Sequence, residues 1–298
     1  MSKITLANLK QKITGFPPWE SAFSVDALRR AWLVVRQNKG RGGSDGETVA
    51  QFERHLELNL RDLQAELLHG RYRPRKVTQI LVPKPSGRWR PLTLWAVRDK
   101  IAQRAVYNYL EPLFEPHFLD CSYGFRPGRS TRDAAQAIQQ ARQAGAAWVL
   151  DADIRDCFGS MDNDHLLQQL RRWRTPQPVC ALVRHWLHAE IWNEWAGTPQ
   201  TAGTSQGGVI SPLLCNLYLH SFDQAMQRRG IQLVRYADDF VILAQKKRTI
   251  RWARHWAGVQ LKRLKLQMHP QKTRITSFDE GFQFVGWFFI RNEMHELR

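Results

Sequence analysis

Apolar residues recur at helical spacing over residues 21 to 37, where Phe23, Leu28, Trp32 and Val35 share one face and predict an amphipathic helix. The segment NKGRGGSDG, 38 to 46, is rich in turn formers and reads as a loop before a second helix around 50 to 68. VTQILVPKPSGRWRPLTL, 77 to 94, has two β-rich runs separated by Pro-Ser-Gly and predicts a hairpin. A helix over 97 to 116 follows, then the loop CSYGFRPGRS, then the helix TRDAAQAIQQARQAG, closed by Gly145. From 147 the rhythm changes. WVLDADI is a short strand, helices are expected at 163 to 173 and 178 to 189, and SQGGVISPLLCNLYLHSFDQAMQRR is a Gly-rich turn leading into a long helix. LVRYADDFVILA reads as two strands meeting at Ala-Asp-Asp, a helix spans 248 to 265, and FQFVGWFFI closes the series as a hairpin or strand. Strand, helix, strand-turn-strand, helix, strand is a ferredoxin-like order, which makes the fold class α+β. The division expected is 1–146 and 147–290, with 163–205 partly returning to the first part and 291–298 as a tail.

Composition narrows the partners. Lys and Arg number 44 against 27 acids, a formal charge of +17, which favours an anionic partner held by salt-dependent attraction. A membrane surface would satisfy the same charge, but no apolar run approaches the length of a membrane span. Most of the 12 Trp belong to packing, and a few can stack on bases. Cys121, Cys157, Cys180 and Cys215 form no CxxC pair, and the ten His show no HExxH spacing, so neither a zinc site nor a redox motif is expected. The reduced thiols and a start without an apolar signal-peptide core lead us to expect a cytoplasmic protein.

Acids in apolar strands carry the chemistry. Asp153 ends WVLDAD, and Asp238 and Asp239 sit at the tip of YADD. A single buried carboxylate is usually answered by a salt bridge or a cap. Two such sites on neighbouring strands favour a shared hard cation with oxygen ligands. Two ions bridged by carboxylates can activate a hydroxyl and stabilise a leaving pyrophosphate.

These residues, with their surroundings, resemble the motifs of reverse transcriptases. RYADDF is similar to the family's catalytic turn, DADIRDCF to its first metal-binding strand, and TSQGGVISPLLCNLYL to its nucleotide-pocket motif. NKGRGGSDG, VPKPSGRWRPLTL, SYGFRPGRS, LKLQMHPQKTRI and FQFVGWFF extend the resemblance to bacterial group II intron-like members, over about residues 38 to 290. It implies a right-hand polymerase fold: fingers of helices and a β-hairpin over 1–146, packed on a ferredoxin-like palm over 147–290. The implied cofactor is Mg²⁺, as two ions, with Mn²⁺ able to substitute. The implied metal ligands are Asp153, Asp238, the supporting Asp239 and the Ile154 carbonyl. Asp153, Asp238, Asp239 and Lys272 form the implied catalytic set, with Lys272 able to protonate pyrophosphate. Asp151 and Asp156 have no family role and read as caps or surface pairs.

The resemblance also implies that Phe158 lies under the incoming sugar and selects dNTPs, where the residue alone would read as a core aromatic. Gln206 and Gly207 are the implied pocket residues, Lys84 and Arg90 the triphosphate contacts, and Arg126 and Arg129 the template contacts. Three positions depart from the pattern. Cys157 replaces a Phe, Gly159 an Asp, and Thr78 a basic residue for which Arg75 or Lys76 are candidate substitutes; Arg88 adds charge nearby.

The motifs stop eight residues before Arg298, so the resemblance leads us to expect no helical thumb and weak, salt-sensitive grip on a primer-template. The implied partners are an RNA template and primer, dNTPs, and a protein or RNA that supplies the missing grip. A group II-like enzyme, defence-associated or domesticated, is the expected setting. An RNA-dependent RNA polymerase shares the palm, and Phe158 argues against it. A non-catalytic, maturase-like RNA-binding protein would have no need of clustered acids.

Overall fold

The computed structural model describes residues 15–37, 42–83, 87, 89–201 and 207–297; Lys84, Arg88 and Gln206 lie outside the described residues. In chain order the elements are α1 Val25–Gln37, α2 Val49–Arg54, α3 Leu56–Leu68, β1 Val77–Pro83, β2 Trp89–Leu94, α4 Val97–Phe114, α5 Thr131–Gln143, β3 Trp148–Asp153 and α6 Cys157–Ser160. Then come α7 Asn163–Arg172, α8 Gln177–Leu187, β4 Glu190–Asn193, β5 Thr198–Thr201, α9 Ser211–Gln227, β6 Gln232–Tyr236 and β7 Asp239–Ala244. The last elements are α10 Lys247–Arg263, β8 Arg274–Ser277, β9 Phe282–Phe284, β10 Trp287–Ile290 and β11 Glu293–Glu296.

The chain divides into two compact units, Met1–Leu113 with Leu166–Ala202, and Phe114–His165 with Gly203–Arg298. The first unit carries a sheet of order β2-β1-β4-β5, in which β1 and β4 run parallel and the other pairs antiparallel. Its α1 buries Leu28, Ala31, Trp32 and Val35, the face expected from periodicity. The helix expected over 50 to 68 breaks at His55, whose backbone (φ −124°, ψ 34°) leaves the helical region, and α2 starts in a capping box made by Thr48 and Gln51. A buried chain of hydrogen bonds ties three segments together. Trp186 Nε1 donates to the Tyr72 hydroxyl at 3.0 Å, Tyr72 donates to Asp99 at 2.7 Å, and the Arg75 amide donates to the other Asp99 oxygen at 2.9 Å.

The second unit is built on an antiparallel sheet of order β6-β7-β3-β8. Strand residues alternate between faces. Val149, Val234, Val241 and Leu243 pack with Ala134, Ala135, Ile138 and Ala141 of α5 and with Phe278, Phe282 and Phe289. Residues of opposite parity face α9 and α10, where Phe240 meets Phe222 with ring centroids 5.4 Å apart. Strand β3 lies between β7 and β8, so its last residue, Asp153, is delivered beside the β6–β7 turn.

Three expectations need correction. The fourth strand of this sheet is β8 and not FQFVGWFFI; the latter forms a separate sheet of order β11-β10-β9, with Val285 and Gly286 turning β9 into β10 at positive φ (42° and 85°). Its aromatic residues are drawn off by the face that α5 also covers. Residues 291–298 are not a simple tail, since β11 pairs with β10. The first unit stops at Leu113 and not at 146, because α5 buries its alanine face against the second unit's sheet.

Candidate active site

Strand pairing puts Asp153 directly opposite Asp239, at the end of β3 and the start of β7. Between β6 and β7, Ala237 adopts a left-handed backbone (φ 57°), and the Asp238 carbonyl accepts from the Ile154 amide at 3.1 Å. The main chain of Asp153 is held from the other side, its carbonyl accepting from the His269 amide at 2.7 Å. Three carboxyls therefore crowd one end of the sheet, and their protonation shows it. Burial pushes the Asp239 carboxyl up, neighbouring Asp238 and Asp153 add to it, and it reaches about 7. Burial likewise raises Asp238, with Asp153 contributing. Lys272 answers the cluster. Its ammonium donates to Asp153 at 2.5 Å and its pKa is raised, first by that bond and then by the surrounding acids.

Behind the turn lies a guanidinium that sequence reasoning missed. Arg235 is 0% exposed, and all of its N–H groups find acceptors. Nε and Nη2 grip the two oxygens of Asp223 at 2.8 and 2.6 Å. Nη1 donates to the Ala237 carbonyl at 2.8 Å and to Asn216 at 3.1 Å, and Nη2 also reaches the Ser122 hydroxyl at 2.8 Å. Asn216 in turn donates to the Gly124 carbonyl at 2.8 Å. Gly124 lies so close to the turn that a Cβ there would sit 2.3 Å from the Ala237 nitrogen. A signal was present in the sequence: an Arg inside the strand LVRY, and polar Asn216 and Asp223 two turns apart on the face of a helix rich in buried apolar residues.

The profile of the family described as "Reverse transcriptase (RNA-dependent DNA polymerase)" matches residues 82–289. The chain belongs to the reverse transcriptase family. Protein YkfC of Escherichia coli (strain K12) is 30% identical over 337 aligned residues, covering 96% of this chain and 88% of that protein. Group II intron-encoded protein LtrA of Lactococcus lactis subsp. cremoris is 26% identical, over 78% of this chain and 49% of its own length, so the chain spans about half of that relative. Among solved structures, an apo telomerase from Candida tropicalis, truncated from its C-terminal domain, gives a TM-score of 0.57 at 12% identity, covering 81% of this chain and 60% of that one. A partial Cas6-RT-Cas1–Cas2 complex gives 0.50 at 22% identity, covering 82% and 42%. These neighbours share the right-hand polymerase fold, the class expected from the motifs.

Within this reverse transcriptase fold the remaining motif residues are placed unevenly. Phe158 is in α6, five residues past Asp153, and only 9% exposed. Cys157 fits its departure, since its thiol is buried against that of Cys215, and that hydrogen bond leads the upward shift of its pKa. Gly159 fits too, because a Cβ there would meet the Asp156 carboxylate at 2.4 Å. Asp151 makes the surface pair expected of it, with Arg274 at 3.1 Å. Asp156 occupies the N-cap position of α6 but makes no side-chain cap bond. Gly207 has φ 117°, a backbone that favours glycine, just before α9.

Arg126 is a correction. It is buried, paired with Glu115 at 2.7 Å, and its N–H groups are spent on the carbonyls of Leu119, Ser122, Glu115 and Phe118. It shapes the SYGFRPG loop and has no donor left for a template. Arg129 stays at the surface, bonded to Asp120 and lying over the Tyr123 ring at 5.3 Å. Thr78 is buried in β1, where a cation would be costly. Arg75 and Lys76 lie three and two residues before it, outside the strand. They precede β1, whereas Arg90 pairs with Val82 near its far end, and about six residues of strand separate the two places, roughly 20 Å.

Among the described residues, no three His, Cys, Asp or Glu side chains converge tightly enough to hold an ion by themselves. The donor chemistry nonetheless fits a hard cation. Carboxylates that raise one another's pKa would be relieved by divalent charge, and Lys272 already sits in the cationic role on Asp153.

Proposed function

We propose that this chain is an RNA-directed DNA polymerase that extends a primer 3′ end with dNTPs on an RNA template. The observation that carries the reading is the crowding of Asp153, Asp238 and Asp239 at one sheet end in a protein of net charge +17. The first unit takes the role of fingers and the second that of palm. Asp153 and Asp238, with the main chain at Ile154 and Asp239 in support, would hold Mg²⁺, or Mn²⁺ in its place. Two such ions supply charge neutralisation at the attacking 3′-oxygen and the leaving pyrophosphate.

Lys272 balances Asp153 and, when free of it, gives positive charge or a proton to the pyrophosphate side. Phe158 closes the space that a 2′-hydroxyl needs, and Gly207 lets the main chain approach the nucleotide. Lys84, Arg90 and Gln206 complete the nucleotide contacts in this reading. The setting is cytoplasmic, and a protein or RNA partner adds grip on the primer-template.

The test is primer extension on an RNA template with Mg²⁺ and dNTPs. Asp238→Ala and Asp153→Ala should reduce extension to background while the thermal melt holds; extension near the wild-type rate by either variant would refute the assignment. In the same assay, Phe158→Val should lower the preference for dGTP over GTP by at least about tenfold, a loss of about 1.4 kcal/mol of discrimination. An unchanged ratio would return Phe158 to the core.

A further inference from the structure

The first unit contains a cleft of about 800 Å³ unconnected with the acidic turn in sequence or chemistry. One wall is a single face of α8 and the residue after it, where Arg184, His185 and His188 follow Ala181 at helical spacing. The opposite wall is the segment Arg73–Lys76, and β4 contributes Trp192. That volume falls within the range of small-molecule sites, and what sets the lining apart is its charge, since it includes Arg73, Arg75, Lys76 and Arg184.

Four cations converge here, Arg73, Arg75, Lys76 and Arg184, and among the described residues none of them forms an ion pair. Elsewhere in the same unit, Arg29 pairs with Asp26 and Glu57, Arg36 with Glu53, and Arg98 with Glu66, so where an acid lies in reach a cation of this unit takes it. At the cleft the one lining acid is Glu190. Holding like charges together costs free energy unless a ligand neutralises them.

The cleft is also built firmly. The Asp99–Tyr72–Trp186 chain fastens the Arg75 amide and α8 to a common core. The Arg73 guanidinium is braced on the carbonyls of Gly70 and Tyr72, and the Lys76 carbonyl accepts from Ser44. Trp192 is 37% exposed, and the Lys76 ammonium lies 4.9 Å from its ring centroid, which orients the indole at the edge of the cleft.

We infer that this cleft binds a segment of single-stranded polynucleotide, with phosphates on Arg73, Arg75, Lys76 and Arg184 and an unpaired base against Trp192. Spaced, unpaired cations match the repeating charge of a phosphodiester chain. An exposed indole selects an unpaired strand, because base faces are hidden inside a duplex. His185 adds no charge near neutral pH, since burial and then Arg73 lower its pKa. The inference does not rest on chemistry at the aspartates.

The experiment uses the full chain carrying Asp238→Ala, so that polymerisation cannot alter the readout. Anisotropy of a labelled oligonucleotide of about 15 residues, RNA or DNA, gives affinity across a salt series. Removing two phosphate contacts with Arg75→Ala/Arg184→Ala should flatten the slope of log affinity against log salt by about 1.4, and Arg75→Lys/Arg184→Lys should restore most of it. Trp192→Ala should weaken binding about 5- to 100-fold with the slope unchanged, and Trp192→Phe should recover most of the loss. An unchanged slope in the double alanine variant would overturn the inference. So would equal displacement of the strand by poly-glutamate, which would make the cleft a site for acidic peptides, or a Trp192→Ala variant that binds as tightly as its parent. Primer extension by the protein with Asp238 intact is read separately, so the polymerase reading and the cleft can each fail alone.

Discussion

Arg235 and Lys272 each hold an aspartate beside the same acidic turn, and they do so in opposite ways. Arg235 and Asp223 are 0% and 1% exposed at the side chain, joined by two hydrogen bonds, with every remaining guanidinium N–H committed to the turn, the helix or the SYGF loop. Lys272 has a 53% exposed side chain and one bond, to Asp153. The first pair cannot exchange partners without opening the core. The second can release its acid whenever another cation arrives. Permanence and exchangeability at this site thus follow from burial and donor count, with no difference in formal charge.

Breaking the buried member should have the largest effect. Arg235→Leu leaves Asp223 uncompensated in the interior and should cost about 3–5 kcal/mol of stability, read from urea unfolding. Arg235→Leu combined with Asp223→Leu should recover a good part of that loss. A single variant costing under about 1 kcal/mol would mean that water reaches Asp223.

The next effect lies in the acids that Lys272 only partly answers. Asp239 has a folded-state pKa of about 7 against an ordinary 3.8, so between those values the folded chain holds more protons than the unfolded one. Metal-free stability should therefore fall as pH rises through that window. Carboxylates with lowered values, such as Asp162, act below this window, and other groups titrate within it, so the readout is a difference between variant and wild type. Relative to the wild type, Asp239→Asn should gain at least about 3 °C in melting temperature between pH 5 and about pH 7.5 in a chelating buffer. Parallel melting curves for the two proteins would refute it.

The smallest effect on stability belongs to the exchangeable pair. Lys272→Ala should change unfolding free energy by no more than about 1 kcal/mol, because the lysine side chain is half open to solvent and makes a single bond. If Lys272 acts on pyrophosphate as proposed, the same variant should slow single-nucleotide addition by about 10²-fold or more. A large stability loss with an intact rate would reverse the comparison.

The features legible in sequence were those that repeat locally. Helix α1 and strands β3, β6 and β7 were readable because their apolar spacing matches their periods, and Asp153, Asp238 and Asp239 stood out as acids against that pattern. Strand β8 was not readable, since RITS offers four residues with little apolar signal, while the stronger run FQFVGWFF was drawn to another layer. Strand β4 went unseen because it is four residues long and its pairing with β1 is long-range, and β5 is an equally short partner of β4 at the sheet edge. Arg126 looked like a surface cation because nothing in SYGFRPGRS reveals that its partners include Glu115 and carbonyls of the preceding segment. Arg235 left a trace as a cation inside the apolar strand LVRY, but which side chains accept from it, Asp223, Asn216 and Ser122, is set by long-range packing.

Gly124 has a consequence for how such a sequence can change through descent. Its missing side chain is the space the Ala237 backbone occupies, 2.3 Å from where a Cβ would stand. Any lineage that replaced Gly124 would have to move the turn bearing Asp238, and any lineage that reshaped the turn would free position 124 to vary. Residues 113 positions apart in the chain are therefore one inheritable unit, and drift at either should be visible as a paired substitution.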